Sequence, residues 1–164
     1  YYENGQSKAL ELKEDKHIPI ITIGHLTTVG SRSSQSERDI YIGGTIDSCG
    51  DYLASMFDYV ALGHLHINQV VGNNGHVRYS GSPIPLSFSE SKNTQKVNLV
   101  SFNENDIQIE ELVIPVFRKL IVIKGNYETI KNELSKIEDK NSWIEVHIKD
   151  DNAMFVNGEI RQFA

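Results

Sequence analysis

Twice in this chain an apolar run ends in glycine and is followed at once by histidine: Ile18 to Gly24 and then His25, Asp58 to Gly63 and then His64, with His66 two residues beyond. A continuous apolar run closed by glycine reads as a strand buried on both faces of a parallel or mixed sheet. Ligands of such sheets gather beyond the carboxyl ends of the strands. If the two strands are near neighbours, His25, His64 and His66 therefore converge on one edge. Glycine before each histidine removes a side chain where the backbone turns tightly or meets another group, and neutral imidazole offers a nitrogen ligand to manganese, iron or zinc. A single histidine after a strand is ordinarily a loop residue; the repeated context and the His-x-His spacing favour the metal reading. His17, His76 and His147 lack that setting and read as surface or packing residues.

Composition narrows the rest. A length of 164 residues allows one domain, or one domain and a piece of another. With 16 basic against 22 acidic residues the net charge is −6. Bulk charge thus cannot hold nucleic acid or a membrane surface, and an anionic substrate must be held locally. Cys49 is the only cysteine, which excludes an internal disulfide or a thiolate zinc cluster and fits a reducing, cytoplasmic setting. No apolar run approaches the ~18 residues of a membrane span. The chain opens at Tyr1 with neither an initiator Met nor a signal pattern, and is expected to be a piece of a longer protein.

The pattern predicts a short solvated helix over 6–16, the strand 18–24, and a serine-rich loop over 26–39 carrying Arg32 and Arg38. A short strand over 40–44, a short helix over 51–57 and the strand 58–63 follow. Asn74-Gly75 between two apolar runs predicts a hairpin with a type I′ turn. KVNLVSF and DIQIEELVIP continue as strands around residues 103–105. Beyond Pro115 comes a β-α-β unit: strand 118–125, a helix from Asn126 to Glu138 with Asn126 as its N-cap, and strand 142–150. At about 35 residues this unit is too small to stand alone. It reads as the start of a second domain.

The segments TIGHLTTVG, RDIYIGG, FDYVALGHLH and VRYSGSPIPLSF resemble those of the SbcD nuclease subunits of bacterial SbcCD complexes, within the calcineurin-like metallophosphoesterases. The resemblance runs from Ile18 to Phe102 and continues more weakly through the β-α-β unit. It implies an α/β (α+β) fold: residues 1–114 as the C-terminal half of a metallophosphoesterase β-sandwich flanked by helices, and 115–164 as the beginning of a small capping domain. It implies a metal-dependent DNA exonuclease and endonuclease that hydrolyses phosphodiester bonds at double-stranded ends and hairpins. Its cofactors would be two divalent ions, manganese by preference, its partner an SbcC-like ATPase, and its full-length form a homodimer. Carried over by residue, His25 and His64 would hold one metal and His66 the other, while the catalytic residues would lie upstream of this segment. Arg32 and Arg38 could contact DNA phosphates, which position a duplex without reading its sequence.

The remaining ligands that the family needs are imitated but misplaced. Asp15-Lys16-His17 precedes its strand, Gly50-Asp51 falls after the first histidine motif, and Gly72 to His76 reads as a hairpin turn. The bridging carboxylate is therefore expected outside this chain. There is no Gly-x-Ser-x-Gly elbow and no P-loop, so any ATP hydrolysis belongs to a partner. Ser82-Pro83-Ile84-Pro85 reads as a rigid turn shaping the edge of the site. Two alternatives stay open: another metallophosphoesterase acting on nucleotides or phosphoproteins, and a non-catalytic module that binds a partner or DNA.

Overall fold

The run of helix formers at the start of the chain folds as α1, Tyr2–Lys13, earlier than the 6–16 its composition suggests. Tertiary contact accounts for the difference, since such a helix is marginal alone. The Tyr2 ring meets Phe57 edge-on at 6.1 Å, and Gln6 Nε2 donates to the Met56 carbonyl at 2.8 Å. The structure, a computed structural model, describes residues 1–14, 16–34, 36–37, 50–103, 106–149, 158 and 160. The strand expected over 40–44, Cys49 and Arg38 lie outside them. The chain divides into two compact units, one of residues 1–84 and 93–115, the other of residues 85–92 and 116–164.

In the first unit β1 (Ile21–His25), α2 (Gly50–Met56), β2 (Tyr59–Gly63), β3 (Gln69–Val70) and β4 (Val77–Tyr79) build a four-stranded sheet in the order β1-β2-β4-β3. The pairs β1-β2 and β2-β4 are parallel, and β3-β4 is antiparallel. Leu53 and Phe57 pack with Val60, Leu62, Val77 and Tyr79 of the central strands to form the core. β2 is the strand whose apolar run is buried as expected. β1 is not: it stands at the edge of the sheet among the described residues, and Ile21 and Ile23 on one of its faces are 49% and 79% exposed. The expectation that 18–24 is buried on both faces is therefore overturned. Its isoleucines alternate with Thr22 and Gly24, so only the face carrying the small residues turns inward.

The β3-β4 hairpin is present, but its turn is not type I′. That turn needs positive φ at both central residues, whereas positive φ falls at Gly72 and Gly75, and Asn74 is not among the non-glycine residues that adopt it. The connection instead runs from Val71 to His76 and is braced from outside: Asp51 accepts from Asn73 N at 2.8 Å and from Asn73 Nδ2 at 2.9 Å. β5 (Lys96–Asn103) and β6 (Asp106–Val113) form a second, antiparallel sheet. Arg78 of β4 and Lys96 of β5 both reach Glu111 of β6, at 3.0 and 2.6 Å. The hydrogen bond from Lys96, ahead of the charge of Arg78, holds the Glu111 carboxyl below its usual range.

The second unit is the β-α-β arrangement: β7 (Leu120–Gly125), α3 (Tyr127–Ser135) and β8 (Trp143–Ile148), with β7 and β8 parallel. Asn126 caps α3 by accepting from Thr129 N at 3.0 Å. Ile130 is fully buried against Ile123 and Ile160, with Tyr127, Leu134 and Ile137 packed beside them. α3 closes at Ser135 because the N–H groups of Lys136 and Ile137 turn back onto the carbonyls of Glu133 and Leu134, three residues earlier. The chain is thus mixed α/β, with three helices and several small sheets among the described residues.

Candidate metal centre

Parallel pairing of β1 and β2 sets His25 opposite Gly63, so the residue after Gly63 emerges beside His25. The imidazoles of His25 and His64 lie 5.3 Å apart, centre to centre, tilted by 59°. Gly63 eases this approach: a Cβ there would stand 3.2 Å from His25 Nδ1, a tight contact from which the ring would have to shift by a few tenths of an ångström. At Gly24 a Cβ would displace the Tyr2 hydroxyl of α1, which packs over this glycine. His64 itself adopts φ 98°, a conformation that costs an L-residue free energy and that clusters at functional sites. Burial pushes the His64 pKa down, the charges of His25 and His66 add to this, and Glu37 opposes it. The ring is therefore neutral at neutral pH, the form that donates a lone pair.

His66 faces the serine-rich loop. Its backbone N–H donates to Glu37 Oε1 at 2.8 Å, and its Nδ1 lies 2.9 Å from Ser36 Oγ. Glu37 Oε2 also receives the Ser34 N–H, and the Ser34 hydroxyl at 2.8 Å. Burial would raise the Glu37 carboxyl, but the donors from His66 and Ser34 together bring it below its usual range. Composition reads this stretch only as loop; in fact its described part is tied to the His-x-His segment. Arg32 is held by its backbone, with its N donating to Gln69 Oε1 at 2.8 Å and its carbonyl accepting from Gln69 Nε2 at 2.7 Å, while the residue itself is exposed.

The resemblance-bearing segments have a physical function in this arrangement. Tyr79, fully buried, donates its hydroxyl to the Leu26 carbonyl at 2.7 Å and accepts from Thr28 N at 3.1 Å. The YSG segment thus pins the loop that follows His25. Gly81, at φ 81°, lies so close to Asn68 N and the His66 carbonyl that a Cβ would collide with both, and Ser82 N donates to the His66 carbonyl at 3.1 Å. The turn beginning at Ser82 therefore abuts the His-x-His segment. Sequence reasoning singled out His25, His64, His66 and Arg32. It missed Ser36, Glu37 and Gln69, whose part depends on partners about 30 or more residues away, and Ser34, which bonds to Glu37; Tyr79 lay inside a noticed motif with no role given.

The other histidines lie elsewhere. His17 and His76 line a cavity of about 340 Å³ at the opposite, N-terminal ends of β1 and β4, together with Lys13, Pro19 and Asp58. His147 is exposed, 3.5 Å from Glu145. Asp51 braces the hairpin and does not face the histidine pair. Among the described residues, no three or more His, Cys, Asp or Glu side chains are grouped to enclose an ion. The donor chemistry of His25 and His64 fits one cation in part, and a full ligand set needs groups that these residues do not include.

Fold and site together define a mixed α/β chain with histidines gathered at the carboxyl ends of two parallel strands of a mixed sheet. No family model matches it. The chain is 40% identical to the SbcD subunit of the SbcCD nuclease of Escherichia coli K12 over 156 residues, which cover 92% of this chain and 39% of that protein. The corresponding subunit of Staphylococcus epidermidis is 39% identical over 75% of this chain, and that of Staphylococcus saprophyticus 36% identical over 79%. The chain is SbcD-like along the length that it shares with these subunits, and it spans less than two fifths of theirs. No helix among the described residues is long and apolar enough to cross a membrane.

Proposed function

We propose that this chain is part of an SbcD-like, metal-dependent DNA nuclease and supplies half of a two-cation centre. The carrying observation is the parallel register that places His25 and His64 side by side, with their rings 5.3 Å apart. His25 and His64 would hold one cation and His66 the other, with manganese as the metal. Paired divalent cations lower the pKa of a bound water and stabilise both the attacking and the leaving oxygen of a phosphodiester. The chain's own residues supply orientation: Gly63 gives His25 room, Tyr79 fixes the loop after His25, and Glu37 with Ser36 holds His66. Arg32, exposed on its clamped backbone, suits contact with a DNA phosphate. Arg38 is proposed for the same task.

In this reading residues 1–114 are the C-terminal part of the nuclease domain and 115–164 the beginning of the capping domain. The bridging carboxylate and the catalytic acid belong to the remaining length of the relatives. The whole protein would be cytoplasmic and homodimeric, and would cut double-stranded ends and hairpins with an SbcC-like ATPase. The relatives are named as subunits of the SbcCD nuclease, which supports the activity and the partner. Calorimetry with manganese and with zinc tests the ligand assignment. His25→Ala, His64→Ala and His66→Ala each delete a nitrogen donor and should weaken binding, whereas His17→Ala and His147→Ala should not. Equal losses across all five variants would remove the assignment.

A further inference from the structure

We infer that Gln69 is a positioning residue: with Tyr79, its partner across β3 and β4, it grips both ends of the turn over residues 28–32 and so holds the exposed Arg32 in one place for a substrate phosphate. The phosphate rests on the function proposed above; the grip does not. Gln69 is 8% exposed, and a buried carboxamide is costly unless its polar atoms are bonded. Its bonds go to main-chain groups, whose roles cannot reverse. Oε1 accepts from Arg32 N at 2.8 Å, while Nε2 donates to the Arg32 carbonyl at 2.7 Å and to the Ile67 carbonyl at 3.3 Å. The orientation of the amide is therefore fixed, since turning it over would set donor against donor and carbonyl against carbonyl. One residue thus meets both sides of one amide, as paired residues of an antiparallel ladder exchange both of their bonds.

The other end of the turn is held from the neighbouring strand. Gln69 and Tyr79 are register partners in the β3-β4 pair, and the side chains of such a pair share one face. Thr28, 3% exposed, donates its N–H to the Tyr79 hydroxyl at 3.1 Å. Between the two anchors the chain folds onto itself: Ser31 N and Ser31 Oγ both donate to the Thr28 carbonyl, at 3.3 and 2.6 Å. Gly30, at φ 82°, takes the third position of this turn, where positive φ favours glycine. The backbone of residues 28–32 is thus fixed, whereas Arg32 itself stands in solvent. A net charge of −6 gives no general attraction for DNA, so a cation that captures a phosphate acts locally, and it acts best when its backbone is ordered before the substrate arrives. Gln69 supplies that order without touching the phosphate.

Amide hydrogen exchange of the full chain, read residue by residue by NMR, tests the grip. The Arg32 amide should be protected in the wild-type chain and should exchange about 5–10-fold faster in Gln69→Met, which keeps the volume of the side chain and removes its bonds. The Thr28 amide, held by Tyr79, should change much less. An Arg32 amide that is unprotected in the wild-type chain, or equally protected in Gln69→Met, overturns the proposal. Binding of a short blunt DNA duplex, titrated without metal at several salt concentrations, tests the use of the grip. Arg32→Ala should weaken binding and lower the slope of log affinity against log salt by about 1. Gln69→Met retains the charge, so it should weaken binding by about 2–10-fold with the slope unchanged. The double variant should then bind no more weakly than Arg32→Ala alone. Additive losses would mean that Gln69 acts on the fold at large and not through Arg32, which overturns the positioning role. If Arg32→Ala binds as the wild-type chain does while exchange behaves as stated, the phosphate reading of Arg32 falls and the grip stands.

Discussion

His64 carries a cost that only its position explains. At φ 98° its backbone lies where L-residues are disfavoured by about 1–3 kcal/mol, yet Gly63 beside it, free to adopt such angles, does not take that conformation. The strain turns the chain at the strand end, where the imidazole comes to face His25. His64→Gly should therefore be more stable than His64→Ala by about 1 kcal/mol, since both remove the ring and only alanine retains the strain. Chemical denaturation of the two variants checks this, and a less stable glycine variant would show that the backbone there is relaxed. At this scale the histidines and their glycines are legible in the sequence, because the residue types and the spacing carry the chemistry. Ser34, Ser36 and Glu37 are not, because a polar loop has the same composition whether it is solvated or hydrogen-bonded to a distant segment.

Among the elements β1 departs furthest from its sequence. Three isoleucines among residues 18–21 read as interior, and the periodicity that would reveal an edge strand is blurred by Thr22 and Gly24, small residues that read neither as core nor as surface. β2, β5, β6 and the β7-α3-β8 unit follow their patterns because local periodicity and burial agree there. With Ile21 and Ile23 exposed and no strand paired on its outer side among the described residues, β1 offers backbone donors and acceptors together with an apolar face. Such edges recruit other strands. The isolated chain should therefore self-associate in sedimentation or light scattering. Ile23→Lys, which places charge on the exposed face, should reduce the association without loss of the helical and strand signals. A clean monomer at high concentration would mean that this face needs no cover.

For the whole molecule the consequence is incompleteness of chemistry. The described residues group no three ligands around one ion, and two-metal catalysis requires cations held about 3.5–4 Å apart. The chain alone, supplied with manganese, should cleave double-stranded DNA no faster than its His64→Ala variant in a gel assay. Robust cleavage that His64→Ala abolishes would show that a carboxylate of this chain, such as Asp15 or Asp51, completes the site. The Tyr79 hydroxyl that pins the loop after His25 has a further consequence, for the order of folding. Its partner Thr28 lies 51 residues away in sequence, and the parallel β1-β2 ladder likewise joins distant stretches through a crossover. Closing loops of that span costs entropy before any contact repays it, so high contact order slows a chain's search. The β3-β4 hairpin and α3 are local and can form first. The histidine edge is then among the last features to assemble, so its appearance reports that the topology, and not merely the secondary structure, has been reached.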